Sequence, residues 1–213
     1  MILIFLIPEM IDYLFSQYQG YPTQQIILEL TAIFFGLWSV WCAKKDNILV
    51  FPTGIISTLI YAYLLWTWSL LGDSMINVYY FIMSIYGWYH WSRKKGDVVE
   101  FPISKTTPRE KTNALIIFVL TEVFVIIVYL FFDKFTNWAS YVDTFITGIF
   151  FVGMWLMAKR KIENWILWII GDFISIPLYF TKGYTFTSIQ YIVFTILAIA
   201  AYLEWKKHLA KQI

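Results

Sequence analysis

Trp165, Trp168, Asp172, Ser175 and Tyr179 fall at i, i+3, i+7, i+10 and i+14 of one apolar run, Asn164 to Tyr179. At helical periodicity this spacing puts two indoles, a carboxylate, a hydroxyl and a phenol along one face. Ile166, Leu167, Ile169, Ile170 and Phe173 cover the other faces. A carboxylate facing hydrocarbon is costly, so Asp172 is expected to face a bundle interior or a watery cavity. Two indole faces over a polar floor can hold a flat, polar or cationic ring, because a cation is attracted to the ring quadrupole. The same residues also read as an interfacial tryptophan belt beside a buried, hydrogen-bonded Asp. Residue types alone leave both readings open.

Other polar groups interrupt other apolar runs. Asn47 is followed by Phe51-Pro52-Thr53-Gly54 and Ser57. Pro52 removes a backbone donor and is expected to kink its helix, and Gly54 allows close backbone approach. The kink could be a hinge that presents polar backbone to a ligand, or a packing feature only. Asn77 and Tyr80 lie three apart on one face, and Gln190 and Tyr191 repeat the polar-then-aromatic pattern late in the chain. An amide inside a membrane span needs a partner, either a neighbouring helix or a ligand. The candidate binding residues are therefore Asn47, Phe51, Thr53, Asn77, Tyr80, Asn164, Trp165, Trp168, Asp172 and Gln190. Glu29, Glu122 and Asp143 are the other acidic residues in or beside apolar runs. They read as wet helix ends, helix contacts or a cation path. No basic residue lies well inside a run, so an anionic substrate such as a nucleotide finds no counter-charge there. A neutral or cationic one fits better.

The elements that position these groups are membrane spans. Of 213 residues, 60% are hydrophobic and 14% charged, against roughly 45–50% and about 25% in soluble domains. A mean hydropathy of +0.65 agrees. Cys42 has no cysteine to pair with, and the two histidines, His90 and His208, fit no metal spacing. No metal or cofactor is expected. No basic stripe or fingerprint points to nucleic acid, and no nucleophile constellation or glycine-rich phosphate loop points to an enzyme.

The fold expected is all-α and polytopic, with seven spans of about 20 residues each. They run over 26–43, 48–69, 75–91, 112–132, 140–158, 164–181 and 184–205. Residues 1–25, broken by Pro8, read as a short interfacial helix rather than a signal peptide. Fourteen of the sixteen basic residues fall on one side of the bundle, leaving Lys134 and Lys182 on the other. Cytoplasmic loops carry the Lys/Arg excess, so the N-terminus is expected outside and the C-terminus inside.

The chain also repeats. Ile33-Phe34-Phe35-Gly36 resembles Ile149-Phe150-Phe151-Val152-Gly153, and Ala43-Lys44-Lys45 resembles Ala158-Lys159-Arg160. Asn47 and Gly54 match Asn164 and Gly171 at one constant offset, and Gly87 to Arg93 echoes Ala201 to Lys207. Spans one to three (26–92) thus resemble spans five to seven (140–213), joined through 93–139. An odd joining span keeps the halves parallel, which places a transported substrate between them near the midplane.

Together, Phe51-Pro52-Thr53-Gly54-Ile55-Ile56-Ser57, Tyr86-Gly87-Trp88-Tyr89-His90-Trp91, Trp165-x-x-Trp168, Gly171-Asp172 and Pro177-Leu178-Tyr179 resemble the Pnu-type vitamin transporters. The resemblance covers roughly residues 26–207. It implies a three-plus-one-plus-three fold and facilitated diffusion of nicotinamide riboside across a bacterial cytoplasmic membrane. It also implies trapping of the vitamin by phosphorylation inside, and a homotrimer. It assigns substrate contact to Trp165 and Trp168. Asn77 and Met154 stand where many members carry glutamine, which leaves thiamine and riboflavin open as substrates. A membrane enzyme or a non-transporting sensor are the competing classes; neither finds a nucleophile, a metal cluster or an output domain in the chain.

Overall fold

The computed structural model describes residues 22–67, 71–96, 98–181 and 185–211. The interfacial segment expected over 1–25 lies, up to residue 21, outside them. Seven long helices follow in order: α1 Thr23–Lys44, α2 Val50–Thr67, α3 Leu71–Ser92, α4 Pro108–Phe131, α5 Trp138–Ala158, α6 Asn164–Thr181 and α7 Thr185–Ala210. Six of them are long and apolar enough to cross a membrane. The exception is α3, which spends its length on Asn77, Tyr79, Tyr80, Tyr86 and His90. The expected spans agree within a few residues except at the last helix, which continues five residues past Trp205 into the basic tail.

Within each half, neighbouring helices pack in sequence, α1 on α2 on α3 and α5 on α6 on α7. Across the halves, α1 meets α7 and α3 meets α5. First helix meets third in both cases, the pairing that a two-fold axis along the bundle produces. The joining helix α4 packs on α5 and presents Leu115, Ile116, Leu120, Ile127 and Leu130 outward, an apolar face suited to lipid.

The contacts set the repeat register more tightly than the sequence does, and they correct it. Asp46 and Arg160 both hold left-handed backbone, φ 51° and 53°, just beyond the ends of α1 and α5. In both places the next residue's N–H reaches back, Asn47 to Cys42 O and Lys161 to Leu156 O, each at 2.9 Å. Ser74 Oγ donates to Ala62 O at 2.9 Å, and Ser188 Oγ to Ile176 O at 2.8 Å. All these pairs are 114 positions apart. The matches Asn47 to Asn164 and Gly54 to Gly171 are therefore not equivalences. Asn47 corresponds to Lys161, Phe51 to Trp165 and Gly54 to Trp168.

Two further expectations change. Pro52 is the third residue of α2 and so sits in the first turn, where no intrahelical donor is needed. It does not kink the helix. The proline inside a helix is Pro177 of α6, which frees the carbonyl of Phe173 instead. The linker, 93–107, is also built rather than slack. A two-strand hairpin pairs Lys94–Lys95 with Val98–Val99 around Gly96, at φ 65°. Ser104 then bridges to the α5–α6 turn, accepting from Ile162 N at 3.0 Å and donating its own N–H to Arg160 O at 3.1 Å. Glu163 accepts from Thr106 N, and Glu110 pairs with Lys159 at 3.1 Å and Lys161 at 3.0 Å. A capping box at Thr107 and Glu110, with Pro108 at the first helical position, starts α4 where the strap ends.

Candidate functional site

The ten candidate residues separate into two layers. The first lies at the end of the bundle where the basic residues gather. Phe51 and Trp165, 1% exposed each, sit there in one apolar cluster with Trp91, Trp205, Met157 and Ile103. Phe51 meets Trp91 edge-on with centroids 4.9 Å apart, and Trp165 meets Trp205 edge-on at 5.5 Å. Asn164 is fully buried beside them and donates Nδ2–H to Lys161 O at 2.6 Å. Asn47 is exposed, and its Oδ1 accepts from Leu49 N at 2.9 Å as a local turn bond. Thr53 donates its hydroxyl to Leu49 O at 2.6 Å, the residue just before its own helix. These last two spend their polarity locally.

The second layer is deeper, around the middle of α6. Trp168 stacks on Phe150 of α5 at 5.2 Å and 27° and faces Tyr80 of α3 at 6.2 Å. Phe150 continues to Tyr191 of α7 at 6.3 Å, and Tyr191 to Tyr179 at 5.1 Å. Tyr79 stacks on Phe151 at 3.9 Å and donates its hydroxyl to Phe151 O at 2.9 Å, tying α3 to α5 across the halves. Asp172 lies one turn beyond Trp168 and is 4% exposed. It makes no hydrogen bond or ion pair with any described residue, but stands within electrostatic reach of Tyr80. Asn77 is half-buried one turn before Tyr80 on α3, and Gln190 is half-buried on α7. Ser175 donates to Gly171 O at 2.8 Å.

Three buried polar atoms near the start of α6 have no hydrogen-bond partner among the described residues: Asn164 Oδ1, Trp165 Nε1 and Trp168 Nε1. Buried polar atoms are normally paired, so one acceptor and two donors are left for something else. With Asp172 they offer an incoming ring a carboxylate, two N–H groups, an amide oxygen and aromatic faces. The rings of Trp168, Phe150 and Tyr80 pack against one another in this layer.

Phe150, Phe151 and Tyr79 were not singled out from the sequence. The signal for Phe150 was Gly171: a Cβ there would collide with the Phe150 ring. The glycine makes room on α6 for an aromatic on α5.

Residues 26–207 match the family described as Nicotinamide mononucleotide transporter. The chain belongs to this family. It is 24% identical over 206 residues to the Nicotinamide riboside transporter PnuC of Escherichia coli (strain K12), with 84% of each chain covered. It is also 24% identical over 193 residues to the Riboflavin/roseoflavin transporter RibM of Streptomyces davaonensis, covering 81% of this chain and 88% of that one. Its fold matches the crystal structure of the Vitamin B3 transporter PnuC, with a TM-score of 0.67 and 22% identity over 98% of this chain and 90% of that chain. The family is one of membrane transporters for small vitamins, not enzymes.

Proposed function

We propose that the chain takes up nicotinamide riboside by facilitated diffusion. The carrying observation is Asp172: a carboxylate 4% exposed, unpartnered among the described residues, midway along α6 and one turn from Trp168. A carboxylate in that position is stabilised by a cationic ligand, and the pyridinium of nicotinamide riboside is a cation that also stacks on indole. The riboside carboxamide matches the orphaned groups, its oxygen accepting from an indole N–H and its NH2 donating to Asn164 Oδ1. The ligand would lie between Trp168, Tyr80 and Phe150, with Asn77 and Gln190 flanking it. Trp165, Asn164 and Phe51 would form the floor toward the basic end. A phosphorylated nucleotide is disfavoured, because no Lys or Arg among the described residues contacts this layer. By the Lys/Arg excess the basic end faces the cytoplasm of a bacterial cell, and the resemblance to the Pnu-type transporters points to three copies in the membrane.

Riboflavin is the second reading, supported by the equal identity to the riboflavin/roseoflavin carrier. Its isoalloxazine is neutral and does not use Asp172. Thiamine is cationic and does. Calorimetric titration of the purified protein with all three separates the readings. Nicotinamide riboside is expected to bind and riboflavin not. Riboflavin binding without the riboside would replace the substrate. Counterflow in proteoliposomes is expected without any ion gradient, since no acidic and basic groups form a relay across the spans. Strict dependence on sodium or on a pH step would convert Asp172 into a coupling site.

A further inference from the structure

At the basic end the two halves hold each other reciprocally. The Trp91 indole of α3 donates to the last carbonyls of α5, Met157 O at 3.3 Å and Ala158 O at 3.2 Å. The Trp205 indole of α7 donates to Ala43 O at the end of α1, at 2.9 Å. Trp91 is equivalent to Trp205 and Ala43 to Met157, so the third helix of each half caps the first helix of the other. The last carbonyls of a helix lack intrahelical donors, and buried ones need partners. Both indoles are buried, Trp91 at 3% and Trp205 at 0% exposure.

Beside them the two left-handed residues, one from each half, pair with one another. Arg160 Nε lies 3.0 Å from Asp46 Oδ1. The guanidinium also stands over the Trp91 ring, 4.2 Å from its centroid, and donates Nη1–H to Phe101 O at 3.1 Å. The strap carries Ile103, 2% exposed, into the same cluster. Burial pushes the Asp46 carboxyl above its ordinary range, opposed by the neighbouring Arg160.

We infer that Asp46 and Arg160, with Trp91 and Trp205, form the gate of the basic end, and that this pair parts to let a molecule held at Trp168 and Asp172 leave on that side. The inference rests on the transport reading above. Its physical case is the choice of groups. A seal made only of apolar side chains would expose hydrocarbon to water on opening. A largely buried ion pair loses its partner on opening but regains hydration on both members, so closed and open states stay close in free energy. The pair also joins one half to the other at equivalent positions, where a relative rocking of the halves separates it first. If the two residues were only structural, exchanging their charges would matter no less than removing one.

The test reads access rather than vitamin transport. In a Cys42→Ala background, Thr53→Cys places a thiol at a site 6% exposed, behind the pair on α2. A membrane-impermeant maleimide is applied to either face of oriented vesicles. Arg160→Gln is expected to speed labelling from the basic side by about tenfold or more, the scale of losing one member of a buried pair. The exchange Asp46→Arg with Arg160→Asp should restore slow labelling. Each position then receives a residue type that already occupies left-handed backbone at its counterpart. Unchanged labelling in Arg160→Gln, equal acceleration from both faces, or no recovery in the exchange would each overturn the gate. A protein that fails to bind nicotinamide riboside but shows the one-sided acceleration keeps the gate and loses the proposed substrate.

Discussion

The two halves share a backbone and differ in what fills it. In the first half α1 and α2 meet through small groups: a Cβ on Gly36 would lie 3.1 Å from Ser57 Oγ, and one on Gly54 would lie 3.1 Å from Ser39 Oγ. At the equivalent positions of the second half the pairs are Phe150 with Gly171 and Trp168 with Gly153. Asn77 corresponds to Tyr191 and Thr58 to Asp172. One half packs its first two helices through glycine and serine, and the other through the rings of Phe150 and Trp168. The frame is symmetric, but the buried carboxylate Asp172 and the indole N–H groups without a partner among the described residues, those of Trp165 and Trp168, all lie in its second half. The axis is visible at the basic end, where the halves exchange equivalent indole bonds, and is broken in the middle, where one half carries rings at the positions that hold glycine in the other.

The sharpest way to break this comparison is at Asp172 and its counterpart. Asp172→Asn keeps the shape and removes the charge. If a cation is bound there, the loss is that of a desolvated charge partner, about thirtyfold or more in Kd for nicotinamide riboside. Thr58 bonds its own helix, Oγ1 to Gly54 O at 2.9 Å, so Thr58→Val should leave Kd unchanged. Equal effects of the two changes in titrations of folded protein would mean that the halves share the site.

What the sequence made legible follows from its periodicities. Helix number and boundaries came through because lipid demands long apolar runs, and the basic ends mark each turn. The repeat was legible in outline but mis-set in the first two helices, because Ala43 and Ala158, like Asn47 and Asn164, are identical residues at non-equivalent places, whereas Gly87 to Arg93 with Ala201 to Lys207 keeps the offset of 114. The left-handed turns at Asp46 and Arg160 and the reciprocal contacts of Trp91 and Trp205 and of Ser74 and Ser188 distinguish an offset of 114 from its neighbours. The face from Trp165 to Tyr179 was readable as one stripe. Its division was not, since Trp165 is taken into a cluster with Trp205 while Trp168 faces Tyr80 from the other half. Phe150 was invisible as a candidate because a phenylalanine in an apolar run carries no signal of its own. Asp46 and Arg160 read as ordinary loop charges, since nothing in sequence shows that their turns meet.

A second, smaller effect separates the halves by stability. Gly171→Ala drives a methyl into the Phe150 ring and forces it off Trp168. Overpacking of this kind costs about 1–3 kcal/mol. Gly36→Ala meets the Ser57 hydroxyl at 3.1 Å, which donates to Ala32 O and need give only a few tenths of an ångström, and should cost less. Apparent melting temperatures in detergent are expected to fall for Gly171→Ala and to change little for Gly36→Ala. The reverse order would mean that the small-residue half is the tightly fitted one.

The smallest expected effect tests whether the ring at 168 binds or merely fills. A cation over an indole face is worth roughly 0.5–2 kcal/mol depending on desolvation. Trp168→Ala should therefore weaken nicotinamide riboside binding by several-fold to about thirtyfold. Trp168→Phe should cost less, since a π-face remains, but it removes the indole N–H that has no protein partner. Loss in the Phe variant equal to that in the Ala variant would assign the contact to that N–H rather than to the ring face. At the equivalent position, Gly54→Ala is expected to leave affinity unaltered, because that site lies in the half that packs without rings. If Trp168 were only an interfacial or packing residue, both of its variants would melt earlier while the surviving folded protein bound as before. Affinity and melting temperature measured on the same preparations distinguish the two cases. Unaltered affinity in folded Trp168→Ala would remove this ring from the site and leave Asp172 without its aromatic wall.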